Sequence, residues 1–482
     1  MKMKNYKIVL LAFFSTLIFS CEDAIDITQP GELYPEVAFE TVEDLQLGLT
    51  AVYGVMGGET EISFASTFTD EVKIGFANGG QGLISGEYGF VLNTNSDEAA
   101  GIWYGNYQLI NFATRVIEGA KNVVPAEGEE DTYNDILAQA HILRAWGHFK
   151  LLTYFSPDIT DDNALGTILL DFIPETNQNL PRNTNGEVFA LINADLTKVS
   201  DLSSNATNTN RNFVSVDFVT AFKARMALYR EDYATASTLA SSLITKYPLT
   251  PRTQYANIWN DLPTAPDEVI FRLDRVDGDS TIGSTWASVN STVSGSPFYE
   301  VSTDLNDLLA PSDVRRASII SPTSDGVIFP VGKYPGSGGL ALLNDLKIFR
   351  TSEMYFIRAE AKAFANDFAG VAADLQAVVN QRFSAATVPT IATPANAQAA
   401  WAEILKQRRI ELAFEGHRYL DLKRVGPKAG VDINRNPADC AINGACFLSS
   451  SDYRFVMPIP SSEIGANPAV ADQQNPGYGT IN

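Results

Sequence analysis

Three Cys and three His in 482 residues leave the chain short of soft metal ligands, which argues against a zinc or iron-sulfur site. His141 and His148 lack the i, i+4 spacing and the intervening Glu of a zinc helix, so core or interface roles suit them better. Positive charge is also scarce: 35 Lys plus Arg stand against 57 Asp plus Glu, a net charge of −22 that disfavours nucleic acid as a partner and sulfated or uronic polymers as ligands. No G-x-S-x-G nucleophile elbow is present, and Gly80 to Gly86 has one residue too many for a dinucleotide fingerprint. Asp158, Asp161, Asp162 and Asn163 crowd oxygen ligands suited to calcium, but their order does not match an EF-hand loop. No cofactor is expected.

The apolar run Ile8 to Phe19 falls short of the roughly 20 residues that a membrane-spanning helix needs. It follows Lys2, Lys4 and Lys7 and leads through Leu17-Ile18-Phe19-Ser20 into Cys21, which reads as a secretory signal over residues 1–20 that resembles a bacterial lipobox. Cys21 is then the first mature residue and carries the lipid that holds the protein to a membrane. Residues 21–482 are expected to form one domain.

Helical periodicity dominates that domain. Thr41 is placed as the N-cap of a first helix carrying Leu45, Leu49, Val52 and Tyr53 on one face, and Gly57-Gly58 stops it. Further helices are expected from Trp103 to Ala120, Tyr133 to Phe155 and Gly186 to Val199, with small Ala140 and Gly147 permitting close helix approach. Residues 59–99 and 277–300 lack that period; their Gly, Asn, Ser and Thr, interleaved with isolated aromatics, predict loops. Residues 268–273 suit one short strand.

Two segments read as one unit written twice. Ala224, Tyr229, Asp232, Tyr233 and Ala234 align with Ala359, Phe364, Asp367, Phe368 and Ala369, each set spanning helix, tight turn and helix over 216–246 and 351–382. This is a tetratricopeptide-like pattern, interrupted by a long insertion at 259–343. The fold class expected is mainly α, a scaffold of tetratricopeptide-like helical pairs with long loop-rich insertions and a few short strands. A later helix from Trp401 to Glu415 stops at Gly416 and mixes charges of both signs, which predicts buried pairs such as Arg408 with Glu411 or Glu415.

Four stretches together resemble the SusD/RagB family of outer-membrane lipoproteins: HILRAWGHF from His141, RTSEMYFIRAEA from Arg350, RRIELAFEGHRYLDL from Arg408, and the tail MPIP from Met457 with Glu463, Asn467-Pro468 and Asn475-Pro476-Gly477-Tyr478. Glu22, Asp23 and Asp26 after the lipobox resemble the acidic export tag of Bacteroidota surface lipoproteins. The resemblance implies an outer-membrane protein, lipid-anchored at Cys21 and facing the cell exterior. It implies a non-catalytic role, in which the protein binds a glycan and passes it to a SusC-like TonB-dependent transporter. A neutral glucan such as laminarin suits the acidic chain best. A surface glycoside hydrolase and a peptide-binding member of the family are the alternatives.

Sugar rings stack on aromatic faces while their hydroxyls bond amides and charged groups. Trp286, alone in a polar loop, is therefore expected to be either a ligand platform or the plug of its own loop, with Phe76, Asn78, Gln81, Tyr88 and Tyr299 as further ligand contacts. Trp103, Trp146, Trp259 and Trp401 are assigned to the core. Cys440 and Cys446 flank a turn with Gly444 at its left-handed position, where a small disulfide is plausible in an exported protein.

Overall fold

The computed structural model describes residues 39–75, 83–202, 211–289 and 297–479. The expected signal over residues 1–20 and Cys21 lie outside these, as do Phe76, Asn78 and Gln81.

The described chain is built mainly from helices. Helix α1 (Val42–Val55) starts with a reciprocal cap: the Asp44 amide donates to Thr41 Oγ1 at 3.2 Å and the Thr41 amide donates back to Asp44 Oδ2 at 2.9 Å. Helices α3 (Asp97–Ala120) and α4 (Glu130–Phe155) lie against each other. At Gly147 a methyl group would meet Ile110 Cγ1 at 2.8 Å, so the close approach requires glycine there. Helix α5 (Asn185–Leu196) packs on α4.

The repeated units are present and geometrically alike. Helices α6 (Val216–Tyr229) and α7 (Tyr233–Lys246) form one pair; α8 (Thr351–Phe364) and α9 (Phe368–Asn380) form the other. Their turns place Glu231 and Asn366 at φ 60° and 58°, and Asp232 and Asp367 then cap the second helices by accepting from the amides of Thr235 and Gly370. Although far apart in sequence, the two units stack directly, with α7 on α8 and Tyr233 against Phe364 at 4.5 Å between ring centres. The insertion between them leaves as strand β2 (Val269–Leu273) and returns as β4 (Leu346–Arg350), paired antiparallel, so it begins and ends at the scaffold.

Helices α10 (Ala397–Glu411) and α11 (Arg418–Ala429) complete the scaffold, and Gly416 adopts φ 83° between them. The charges here are buried as expected, but their partners differ. Arg408 pairs with Asp421 at 2.7 Å and reaches Glu360 at 3.6 Å, whereas Glu411 receives Arg382 at 2.8 Å, Arg350 at 3.1 Å and Arg315 at 3.3 Å. Glu415 takes Lys333 and Arg350, both at 2.7 Å. Every one of these bonds joins different elements, because buried charges on one helix are satisfied by the helices and strands packed over them. Burial by itself would raise the Glu411 carboxyl, but Arg382, Arg350 and Arg315 hold it well below the usual range.

The described residues of 59–99 are not a loop. They contain helix α2 (Glu59–Thr67), strand β1 (Val72–Ile74), two single 3₁₀ turns and the start of α3. Phe64, Phe68 and Phe90 fill a core cluster with Tyr419 and Phe455, at 4.9 Å for Phe64–Tyr419 and 5.3 Å for Tyr419–Phe455. No single helical face accounts for these aromatics because several short elements each contribute one or two rings. The insertion likewise holds short helices at Ile282–Ala287, Thr303–Leu308 and Arg316–Ile319.

Candidate functional site

Strand β1 pairs antiparallel with β3 (Tyr299–Val301), in the register Val72 with Val301 and Ile74 with Tyr299. The contact continues at Gly75, whose N–H donates to the Phe298 carbonyl at 2.8 Å. A Cβ at Gly75 would lie 1.8 Å from the Pro297 oxygen, so only glycine lets the two backbones meet. The described parts of the two segments singled out for recognition thus converge at residues 72–75 and 298–301. Lys73 lies opposite Glu300 with 3.5 Å between the charges, and its ammonium stands 5.7 Å from the half-buried Phe329 ring. The Phe329 amide donates to Glu300 Oε2 at 3.1 Å, which adds a third segment to the junction.

A stapled loop forms the next wall. Cys440 and Cys446 are bonded to each other, with Gly444 at φ 72°. Cys440 closes a helical turn (Pro437–Cys440) that packs near β1. Asp439 accepts from the Thr303 amide at 2.8 Å and from Thr303 Oγ1 at 2.6 Å, while Asn443 Nδ2 donates to the Ile84 carbonyl at 2.7 Å. Arg435 fixes the assembly: its guanidinium donates to the carbonyls of Thr67, Phe68, Thr69, Tyr88 and Ala445 and lies 3.9 Å from the Tyr88 ring centre. One buried cation therefore ties the loop to the segment leading into and out of 76–82.

The described aromatics named from sequence, Trp286, Tyr88 and Tyr299, are all buried. Trp286 lies in the helical turn Ile282–Ala287, 1% exposed, edge-on to Phe414 at 5.4 Å and to Tyr299 at 6.3 Å. It plugs its own loop and shows no free ring face, and its indole N–H has no partner among the described residues. The apolar contacts come from residues distant in sequence, so nothing local in the polar stretch reveals them. Tyr299 is buried beneath the junction. Burial pushes its hydroxyl up, and the nearby Glu87 and Glu98 carboxyls push it further. Tyr88 is fully buried, donates to the Asp439 carbonyl at 3.0 Å, and has its hydroxyl raised to about 12 by burial. Tyr88, Tyr299 and Trp286 are therefore packed within the protein and present no free ring. Arg435 escaped the sequence reading because an isolated Arg among Asn residues carries no periodic signal.

Other candidate chemistry is used structurally. Asp158 accepts from the Thr160 amide and hydroxyl, Asp161 from the Asn163 amide, and Asp162 pairs with Arg230 at 2.7 Å. His141 contacts Asp195 at 2.7 Å whereas His148 contacts the Leu170 carbonyl at 3.2 Å, and burial lowers His148 to about 4. Among the described residues no group of three or more His, Cys, Asp or Glu is placed to hold a metal ion. A cleft of about 570 Å³, lined by Leu308, Phe383, Pro389, Ile391, Pro394 and Ile410 among others, shares no residue with the β1–β3 junction.

The fold is a mainly α scaffold of tetratricopeptide-like helical pairs, with buried charge pairs between its elements and a long insertion of short helices and strands. Comparison with known proteins agrees. A family model described as "SusD family" matches residues 335–478, and one described as "Starch-binding associating with outer membrane" matches 32–228. "SusD-like protein P2" of Formosa agariphila is 25% identical, with 99% of this chain and all of that protein aligned; "SusD-like protein P38" of the same organism is 24% identical over 90% and 95%. A SusD superfamily structure from Bacteroides thetaiotaomicron superposes with a TM-score of 0.74 at 21% identity, covering 90% of this chain and 100% of that one. A SusD-like carbohydrate-binding protein from Bacteroides vulgatus gives 0.71 at 18%, covering 89% and 97%. The chain belongs to the SusD/RagB family.

Proposed function

We propose that this protein binds an oligo- or polysaccharide at the β1–β3 junction, without chemistry, and delivers it to a SusC-like TonB-dependent transporter. The observation that carries this reading is the Val72–Val301 pairing, which joins the described parts of the two segments singled out from the sequence. The inward pairing of the Arg350, Arg382 and Glu411 cluster supports binding over catalysis, since its carboxylates are occupied by buried cations. Relatives described as starch-binding or carbohydrate-binding favour a glycan. The net charge of −22 favours a neutral one, with laminarin the first to test. The lipobox-like Cys21 and the family's association with the outer membrane support a lipid-anchored position on its outer face.

Affinity electrophoresis and calorimetry across a panel of neutral and anionic glycans test the ligand. Retardation by a neutral glycan with no shortened products is the expected result. Shortened products would establish a hydrolase, and a peptide that outcompetes every glycan would move the protein to the peptide-binding branch. Incorporation of labelled palmitate into the wild type but not into Cys21→Ala tests the anchor, and co-purification with a TonB-dependent barrel from outer membranes tests the partner.

A further inference from the structure

Beside the stapled loop, a two-stranded ribbon pairs Ile433–Asn434 with Phe447–Leu448, in the register Ile433 with Leu448 and Asn434 with Phe447. Directly opposed residues of an antiparallel pair project from the same face, with Cβ atoms about 5 Å apart. One face of this ribbon is Ile433 and Leu448, both buried. The other face is Asn434 and Phe447, both exposed, with Phe447 at 61%.

Most of the Phe447 ring surface is open to solvent, and the ribbon that carries it is held firmly. Cys446 precedes Phe447 and is bonded to Cys440. Arg435 follows Asn434 and is locked into the carbonyls of Thr67, Phe68, Thr69 and Tyr88, while its own amide donates to the Cys446 carbonyl at 2.8 Å. The same loop touches Ile84 and Thr303, which flank the β1–β3 junction. The loop that carries the ribbon is therefore tied to segments next to the β1–β3 junction, and the ribbon presents an apolar ring beside an amide that can both donate and accept hydrogen bonds.

We propose that Phe447 and Asn434 form a sugar-ring subsite, in which the C–H face of a neutral pyranose stacks on Phe447 and its hydroxyls bond the Asn434 amide. This rests on the glycan-binding reading above and adds a contact outside the two converging segments. Rigid presentation lowers the ordering cost of binding, which is the advantage of placing the pair between a disulfide and a buried arginine.

The test is calorimetry of the mature chain and of Phe447→Ala, Asn434→Ala and Phe447→Trp against laminarin and the rest of the neutral glycan panel, with thermal unfolding of each variant. Both side chains are exposed, so the variants should unfold close to the wild type. For the glycan that the wild type binds, Phe447→Ala should raise Kd about five- to tenfold, Asn434→Ala should raise it several-fold, and Phe447→Trp should retain or improve binding. Wild-type affinity in both alanine variants would overturn the subsite and leave the glycan-binding reading standing. Failure of the wild type to bind any glycan would remove that reading and the subsite together. Phe447-dependent binding of a peptide alone would overturn the sugar assignment.

Discussion

Arg382 Nη2 and Glu411 Oε1 lie 2.8 Å apart, and neither side chain has any exposed surface. The bond ties the chain just after the second tetratricopeptide-like unit to the end of α10. Glu411 also receives Arg350 and Arg315, so removing it takes one buried partner from each of three guanidinium groups and leaves them only Glu268, Glu415 and Asp313. Glu411→Ala should cost about 3–5 kcal/mol, against a total stability of about 5–15 kcal/mol for a typical domain. Urea unfolding measures it. A midpoint equal to that of the wild type would contradict the bracing role.

Trp286→Ala should now fail in a different way from the one the polar sequence around it suggests. A fully buried indole packed on Phe414 and Tyr299 leaves a cavity when truncated, at a cost of about 3–5 kcal/mol. Trp286→Phe should recover much of that loss. Thermal unfolding beside glycan calorimetry separates the two roles: a variant that keeps its melting temperature but loses binding would return Trp286 to the ligand.

Glu71 predicts a pH dependence. Its carboxyl is buried and accepts from Ser66 Oγ at 2.7 Å and from the Phe414 amide at 3.2 Å, and burial raises it from 4.5 to about 7 despite these bonds. The folded state therefore holds this proton more tightly than the unfolded one. Its contribution to stability is fully present below pH 4.5 and is lost as pH rises through about 7. Glu71→Gln should flatten the pH dependence over that window and raise the melting temperature at pH 8.

Asp232 and Asp367 cap corresponding helices through the same turn geometry. Substituting either by Ala should cost about 1 kcal/mol, and the two should be similar. A large inequality in denaturant midpoints would mean that the two units are not energetically equivalent.

Cys440→Ser with Cys446→Ser opens a short loop that is already held by Asn443 and Arg435. Chain-entropy arguments put the loss at about 2 kcal/mol. Hydrogen exchange should show it as faster opening of 435–447, with the helical pairs unchanged.

The helices were legible in the sequence because their signals are local. The Thr41 cap, the α3 and α4 stripes and the doubled helix-turn-helix all declare themselves within one or two dozen residues. The burial of Trp286, Tyr88 and Tyr299 was not legible, since each is covered by residues far away in the chain. Burial depends on what covers a side chain and not on the polarity of its sequence neighbours. The Asn434–Phe447 pair was equally hidden, because a two-residue strand is too short to show alternation.

By itself the sequence determined the helical-pair architecture and the family, both of which reside in short-range patterns and motif order. Only the tertiary structure decided which charges pair, which aromatics are core, and that residues near 74 and 299 meet as neighbouring strands. Local periodicity sets the elements at a cost paid within each one, whereas the choice of partner depends on desolvation and packing across the whole fold.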